Sequence, residues 1–215
     1  MTFPHPPPAM RRALDALVRE DPRLAPIEAE CGPLPWRIRP QGFPGLLQAI
    51  VGQVVSNQAA SAIWRRLVTL PDVLTPEGLL LLPDVSLRAA GLSGSKVAHA
   101  RALATAFATG QLSAASVEAS TDDEAMAAIT AVRGLGPWTA EVYLLFAHQR
   151  QDVFPAGDVA IAGAAQHLLR LNTRPEPRAL RQLAEAWRPS RALAARLLWH
   201  HWRGLTGRPS FDDPA

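Results

Sequence analysis

Cysteine is almost missing from this 215-residue chain, in which Cys31 stands alone. A lone thiol forms no internal disulfide, builds no cysteine-ligated zinc site and carries no iron–sulfur cluster, so any chemistry must run without those groups. Lysine is as scarce: Lys96 is the single lysine among 22 basic residues. Long hydrophobic runs are lacking too. No stretch of about 18 uninterrupted apolar residues occurs, which speaks against a membrane-spanning helix. The opening residues, Met-Thr-Phe-Pro-His-Pro-Pro-Pro, contain no apolar core of the kind a signal peptide needs, so a cytoplasmic, soluble, monomeric protein with no membrane partner is expected. Alternating strand patterns and repeats of fixed period are absent. The six histidines show no metal spacing, and the adjacent His200 and His201 point about 100° apart on a helix.

What remains is helix. Apolar residues at helical spacing, with their caps and breakers, predict helices over 10–20, 58–70, 95–109, 122–132, 137–147, 158–171, 177–187 and 190–202, and shorter pieces around 76–82 and 86–90. Leu46, Leu47, Ile50, Val51, Val54 and Val55 read as one further apolar stripe, after which Ser56 is placed to cap the next helix. Residues 2–8 read as an extended arm, and 22–44 as an irregular connection carrying Trp36 and Phe43. The fold class is therefore all-α. The length suits one unit of two small lobes sharing a cleft, one of about 42–150 and the other of 1–41 with 159–215. Net charge is only +3, but residues 170–208 hold nine arginines against Glu176 and Glu185. Such a region suits phosphate, or else decorates solvated helices.

The most informative segment is 129–140, Ile-Thr-Ala-Val-Arg-Gly-Leu-Gly-Pro-Trp-Thr-Ala. Gly134 and Gly136 permit positive φ and leave the backbone uncovered, while Pro137 fits the first position of a helix. Helix-start amides left open in this way donate to a phosphate oxygen. The carbonyls of Thr130, Val132 and Leu135 could hold a monovalent cation bridging to the same phosphate. An ordinary αα-hairpin is the plain alternative. Downstream, Asp152-Val-Phe-Pro-Ala-Gly-Asp158-Val159 places a carboxylate at the start of another helix, where it serves as a cap or as a reactive group.

A glycine hairpin followed by D-V-F-P-x-x-D, together with Ile50-Val-Gly-Gln-Val-Val-Ser56 and Gly91-Leu92-Ser93 with Lys96, resembles the helix-hairpin-helix DNA glycosylases. The likeness covers about residues 42–203 and is greatest to the 3-methyladenine DNA glycosylase II, or alkylation-repair, branch. It implies two helical lobes around a cleft, double-stranded DNA containing alkylated bases as partner, and no required cofactor beyond a structural cation at the hairpin. It also implies that Asp158 is catalytic and that Gly134, Leu135, Gly136 and Thr139 meet the DNA backbone. The loop of Gln53, Val54, Val55 and Ser56 would enter the minor groove, with Val54 the first choice of wedge and Val55 the second; packing in the core competes for both. Trp138 is the implied pocket wall, with Trp36 as a further candidate. Bifunctional members carry a lysine where Trp138 stands, so a monofunctional enzyme without lyase activity is implied. The chain departs from the larger members in being too short for their N-terminal β-containing domain. It also has Val142 and Val159 where some members are aromatic, which bears on pocket shape.

The chemistry fits that resemblance. Breaking an N-glycosidic bond builds positive charge on the sugar, and a carboxylate beside it stabilises that charge and activates water. A base alkylated on a ring nitrogen is already cationic. It leaves as a neutral species without a general acid, and it stacks well on tryptophan. The competing reading is a non-catalytic helix-hairpin-helix DNA-binding protein in which Asp158 only caps a helix.

Overall fold

In the computed structural model, which describes residues 2–3 and 5–207, the chain divides into two compact units. Among the described residues, the first joins those up to Ile38 with 149–207, and the second runs from Arg39 to His148. Both are helical, with thirteen α-helices among the described residues. None is long and apolar enough to cross a membrane.

The chain enters the first unit with β1 (Thr2–Phe3). Pro8 then occupies the first position of α1 (Pro8–Glu20), where a missing N–H is harmless, so the helix starts earlier than its apolar spacing predicts. The connection expected to be irregular contains α2 (Pro26–Cys31) and then β2 (Trp36–Arg37), which pairs antiparallel with β1. The arm is thus tied at Thr2–Phe3, a correction to the reading of 2–8 as merely extended.

The second unit comprises α3 (Gly42–Gly52), α4 (Asn57–Leu67), α5 (Pro76–Leu81), α6 (Asp84–Ala89), α7 (Gly94–Ala108), α8 (Ala114–Ala119), α9 (Asp122–Thr130) and α10 (Pro137–Ala147). Its core lies where α3 packs on α7 and α10, with Leu46, Leu47, Ile50, Leu103, Ala104 and Leu144 all fully buried. At about 1.5–3 kcal/mol for each leucine and isoleucine, this packing contributes strongly to the stability of the unit. The stripe ends at Val51, and Val54 and Val55 lie beyond the helix, so core packing no longer competes for them. Behind the core, the Gly42 amide donates to the Tyr143 hydroxyl at 2.7 Å. That hydroxyl lies 3.1 Å from His148 Nε2, and His148 Nδ1 lies 2.6 Å from Glu118 Oε2. Burial pushes Tyr143 up to about 12, so it remains a neutral phenol tying the start of α3 to the end of α10.

The first unit resumes with α11 (Val159–Leu168), α12 (Pro177–Ala184) and α13 (Arg191–Thr206). A Cβ on Gly163 would sit 2.5 Å from the Trp202 ring, so only glycine lets α13 approach α11 this closely. Part of the arginine-rich tail is absorbed by the fold. Arg188 and Arg191 bind Asp152 and Glu185, and Arg196 is buried, donating to the Arg37 carbonyl at 3.0 Å. Those three are therefore committed within the protein, whereas Arg170, Arg174, Arg178 and Arg181 remain exposed.

Two buried histidines on α13 give a pH dependence. His200 Nε2 must donate to the Gly32 carbonyl, 2.9 Å away, and its buried Nδ1 meets no partner. His201 Nε2 lies 3.0 Å from His167 Nδ1, again with an unpartnered buried Nδ1. Burial lowers the pKa of both below the ordinary 6.5, so the folded state resists a proton that the unfolded chain accepts. Their contribution is complete above pH 6.5 and declines as pH falls toward their folded-state values, by up to about 1.4 kcal/mol per pH unit for each group. Urea unfolding at pH 7.5 and pH 5 should show this loss in the parent and a smaller one in His201→Gln. Equal pH dependence in both would contradict it.

Candidate nucleic-acid interface and aspartate site

The hairpin lies between α9 and α10. Thr121 and Glu124 form a reciprocal capping box that starts α9. After α9 the Val132 amide bonds to the Ile129 carbonyl, the Leu135 amide bonds to Val132 at 3.1 Å, and Gly134 takes φ 91°. Gly136 is the N-cap of α10, and Pro137 follows at its first turn. No side chain caps this helix, and Arg133, Gly136 and Pro137 are exposed beside it. The first-turn amides of an α-helix have no intrahelical acceptors, so an uncapped, exposed start of this kind presents donors and positive potential together.

Two of the residues expected to meet DNA through this turn serve otherwise. The Leu135 side chain is 3% exposed and its amide is committed to Val132, so it anchors the apex from within. Thr139 is 2% exposed, and its hydroxyl accepts a hydrogen bond from Gln53 Nε2 at 2.9 Å. Gln53 also donates to the Gly134 carbonyl at 3.0 Å. Its amide is thus spent on the hairpin rather than offered to a groove. Ser56, likewise, accepts from the Ala59 amide as the N-cap of α4. Val54 is the residue of that loop that projects: it is fully exposed and adopts φ 54°, while Val55 is partly exposed. Before the loop, Lys96 Nζ donates to the Val51 carbonyl at 2.7 Å, and burial lowers the pKa of this lysine.

In the other unit, the segment 152–158 is held at both ends. Arg191 grips Asp152 through Nε and Nη2, and Arg188 adds a second ion pair. Val153 and Phe154 are buried, with Phe154 against Trp187 at 5.8 Å between ring centres. The Asp158 amide then bonds to the Pro155 carbonyl, and its side chain caps α11. Oδ1 accepts from the amides of Ala160 and Ile161 at 2.9 and 3.0 Å, and from Trp199 Nε1 at 3.1 Å. Three N–H donors fix the plane of a half-buried carboxylate, with Val159 largely exposed next to it.

The remaining expectations divide. Trp138 is half-buried at the start of α10, whereas Val142, one turn on, is 3% exposed in the unit's core. Trp36 is corrected: it is 3% exposed, and the Arg196 guanidinium covers its ring at 4.1 Å, so it packs the first unit instead of lining a base pocket. The indole of Trp199, a residue that the sequence did not single out, holds the Asp158 carboxylate. It lies 41 positions from Asp158, and nothing in the local pattern marks it.

A glycine hairpin with an uncapped helix start, in a chain of short packed helices, defines a helix-hairpin-helix protein. Residues 47–189 match the HhH-GPD superfamily of base excision DNA repair proteins, and the chain belongs to that superfamily. It is 29% identical over 161 residues to DNA-3-methyladenine glycosylase 1 of Schizosaccharomyces pombe, covering 73% of this chain and 71% of the relative. Its fold is similar to the solved structure of S. pombe 3-methyladenine DNA glycosylase in complex with abasic DNA, with a TM-score of 0.81 and 27% identity over 89% of this chain and 95% of the other. A DNA-3-methyladenine glycosidase from Bacillus halodurans aligns with a TM-score of 0.75 and 29% identity, covering 96% and 94% of the two chains.

Proposed function

We propose that this protein is a monofunctional DNA glycosylase that excises alkylated bases, 3-methyladenine among them, from duplex DNA. The observation that carries the reading is the Asp158 carboxylate, oriented at a helix start by Ala160, Ile161 and Trp199. In the reaction, the everted nucleotide places its sugar beside Asp158. As the bond from C1′ to the base nitrogen lengthens, the carboxylate balances the growing oxocarbenium charge and takes a proton from the attacking water. The cationic base departs neutral, so the absence of a second acid in this segment costs nothing; Asp152 is occupied by Arg188 and Arg191. Trp138, half-buried at the start of α10, supplies the aromatic surface on which a cationic base stacks; Val142 belongs to the core, and Val159 is exposed next to Asp158.

The start of α10 receives a backbone phosphate, and Val54 fills the space the base vacates. The carbonyls of Thr130, Val132 and Leu135 are neutral, hard oxygen donors suited to a monovalent cation at the same turn. Loss of lyase chemistry is supported twice. Trp138 stands where a Schiff-base lysine would be needed, and the single lysine, Lys96, is buried with its amine on Val51.

Incubation with methylated duplex DNA should release free 3-methyladenine and leave the resulting abasic strand intact, with no borohydride-trapped adduct. Strand scission through a trappable adduct would overturn the monofunctional assignment. DNA binding without base release would favour the non-catalytic alternative.

A further inference from the structure

We infer that Gln53 is a positioning residue that locks the Val54 loop onto the glycine hairpin, so that phosphate capture and wedge insertion act as one rigid element. The inference rests on the glycosylase reading and extends it to a residue that touches neither the base nor the sugar. A β-branched residue in the left-handed region is strained by about 1–2 kcal/mol and persists only where its surroundings over-determine it. Val54 at φ 54° is such a residue, and it is fully exposed, so its own side chain has no contacts to hold it. The restraint comes from its neighbours. Lys96 fixes the Val51 carbonyl at the end of α3, and Ser56 caps α4 on the far side. Between them Gln53 leaves the helix at ψ 131° and spends its amide on two hairpin atoms, the Gly134 carbonyl and the Thr139 hydroxyl. Those acceptors flank Gly136 and Pro137, the exposed start of α10. One side chain therefore joins the only fully exposed large apolar residue of the loop to the anion-binding turn.

The donor chemistry makes the idea separable from packing. Gln53→Glu keeps the shape but places a carboxylate against a carbonyl that needs a donor, whereas Thr139→Val removes one acceptor. In the free protein, exchange of the Gln53 and Leu135 amides, bonded to Ile50 and Val132, should accelerate about tenfold in Gln53→Glu, in keeping with the loss of a hydrogen-bonded clamp, with the thermal midpoint confirming that the fold persists. In single-turnover base release, Gln53→Glu should be about tenfold slower, while affinity for undamaged duplex changes less than twofold. Val54→Ala should slow release as well, and the Gln53→Glu, Val54→Ala pair should be no slower than the worse single variant, because both act through the same loop. Unchanged exchange with an unchanged rate, or additive losses in the pair, would overturn the proposal. Failure of the glycosylase reading looks different: the parent would release no base while the exchange of the Gln53 and Leu135 amides still responded to Gln53→Glu.

Discussion

Asp158→Asn should retain the fold and duplex binding yet lose about 10³-fold in single-turnover release of alkylated base, the scale at which charge stabilisation and general-base assistance act. The substitution separates two duties of one side chain. Asparagine caps helices as well as aspartate does, and its carbonyl oxygen can still accept from Ala160, Ile161 and Trp199, so stability should change by less than about 1 kcal/mol. What it lacks is the negative charge that an oxocarbenium-like centre requires. Trp199→Phe makes the complementary change: the charge stays, but one of three orienting donors is lost. A smaller fall in rate is expected there, with DNA affinity preserved.

Gly134→Ala should be the most damaging single substitution in the hairpin. The new Cβ would lie 2.1 Å from His99 Cγ, and the backbone at φ 91° is strained for any residue with a side chain. Strain and overpacking each cost roughly 1–3 kcal/mol, so a loss of about 3 kcal/mol or more in stability is expected, with duplex binding falling alongside it. Gly136→Ala is the control. Gly136 lies at φ −84° with open space around its missing Cβ, so that variant should lose only about 0.5–1 kcal/mol as a poorer N-cap. Its methyl group nevertheless partly covers the donors of α10, and duplex affinity at low salt should drop clearly. Denaturation and fluorescence anisotropy on the pair distinguish the roles: structural at Gly134, contact at Gly136.

Legibility in the sequence followed the range of the forces involved. The limits of α10 were readable because Gly136-Pro137 punctuates its start and an apolar run fills the rest; the Asp158 cap, too, is a local event three residues long. Ser56 capping α4 belongs to the same class. Misreadings arose where a partner distant in sequence decided the outcome. Val54 and Val55 prolong an apolar pattern, but the helix stops at Gly52 because Gln53 turns to atoms more than eighty positions away. Trp36 resembles a spare aromatic until Arg196 is seen above it. Arg188 and Arg191 count toward a basic surface until Asp152 and Glu185 are seen to match them. Helix α8 escaped notice since it is a short Ala/Ser-rich segment with Val117 as its one buried residue, started by a Ser113–Ser116 capping box instead of the commoner glutamate form.

The central claim, that a cap-oriented aspartate acts on the sugar of an everted nucleotide, is tested most directly by a crystal structure with duplex DNA containing a non-cleavable abasic-site analogue. The account predicts the analogue's sugar ring turned out of the helix with its C1′ position about 3.5 Å from an oxygen of Asp158, the separation a reacting pair requires. A flipped sugar bound elsewhere, with Asp158 contacting only its own helix and Trp199, would contradict it.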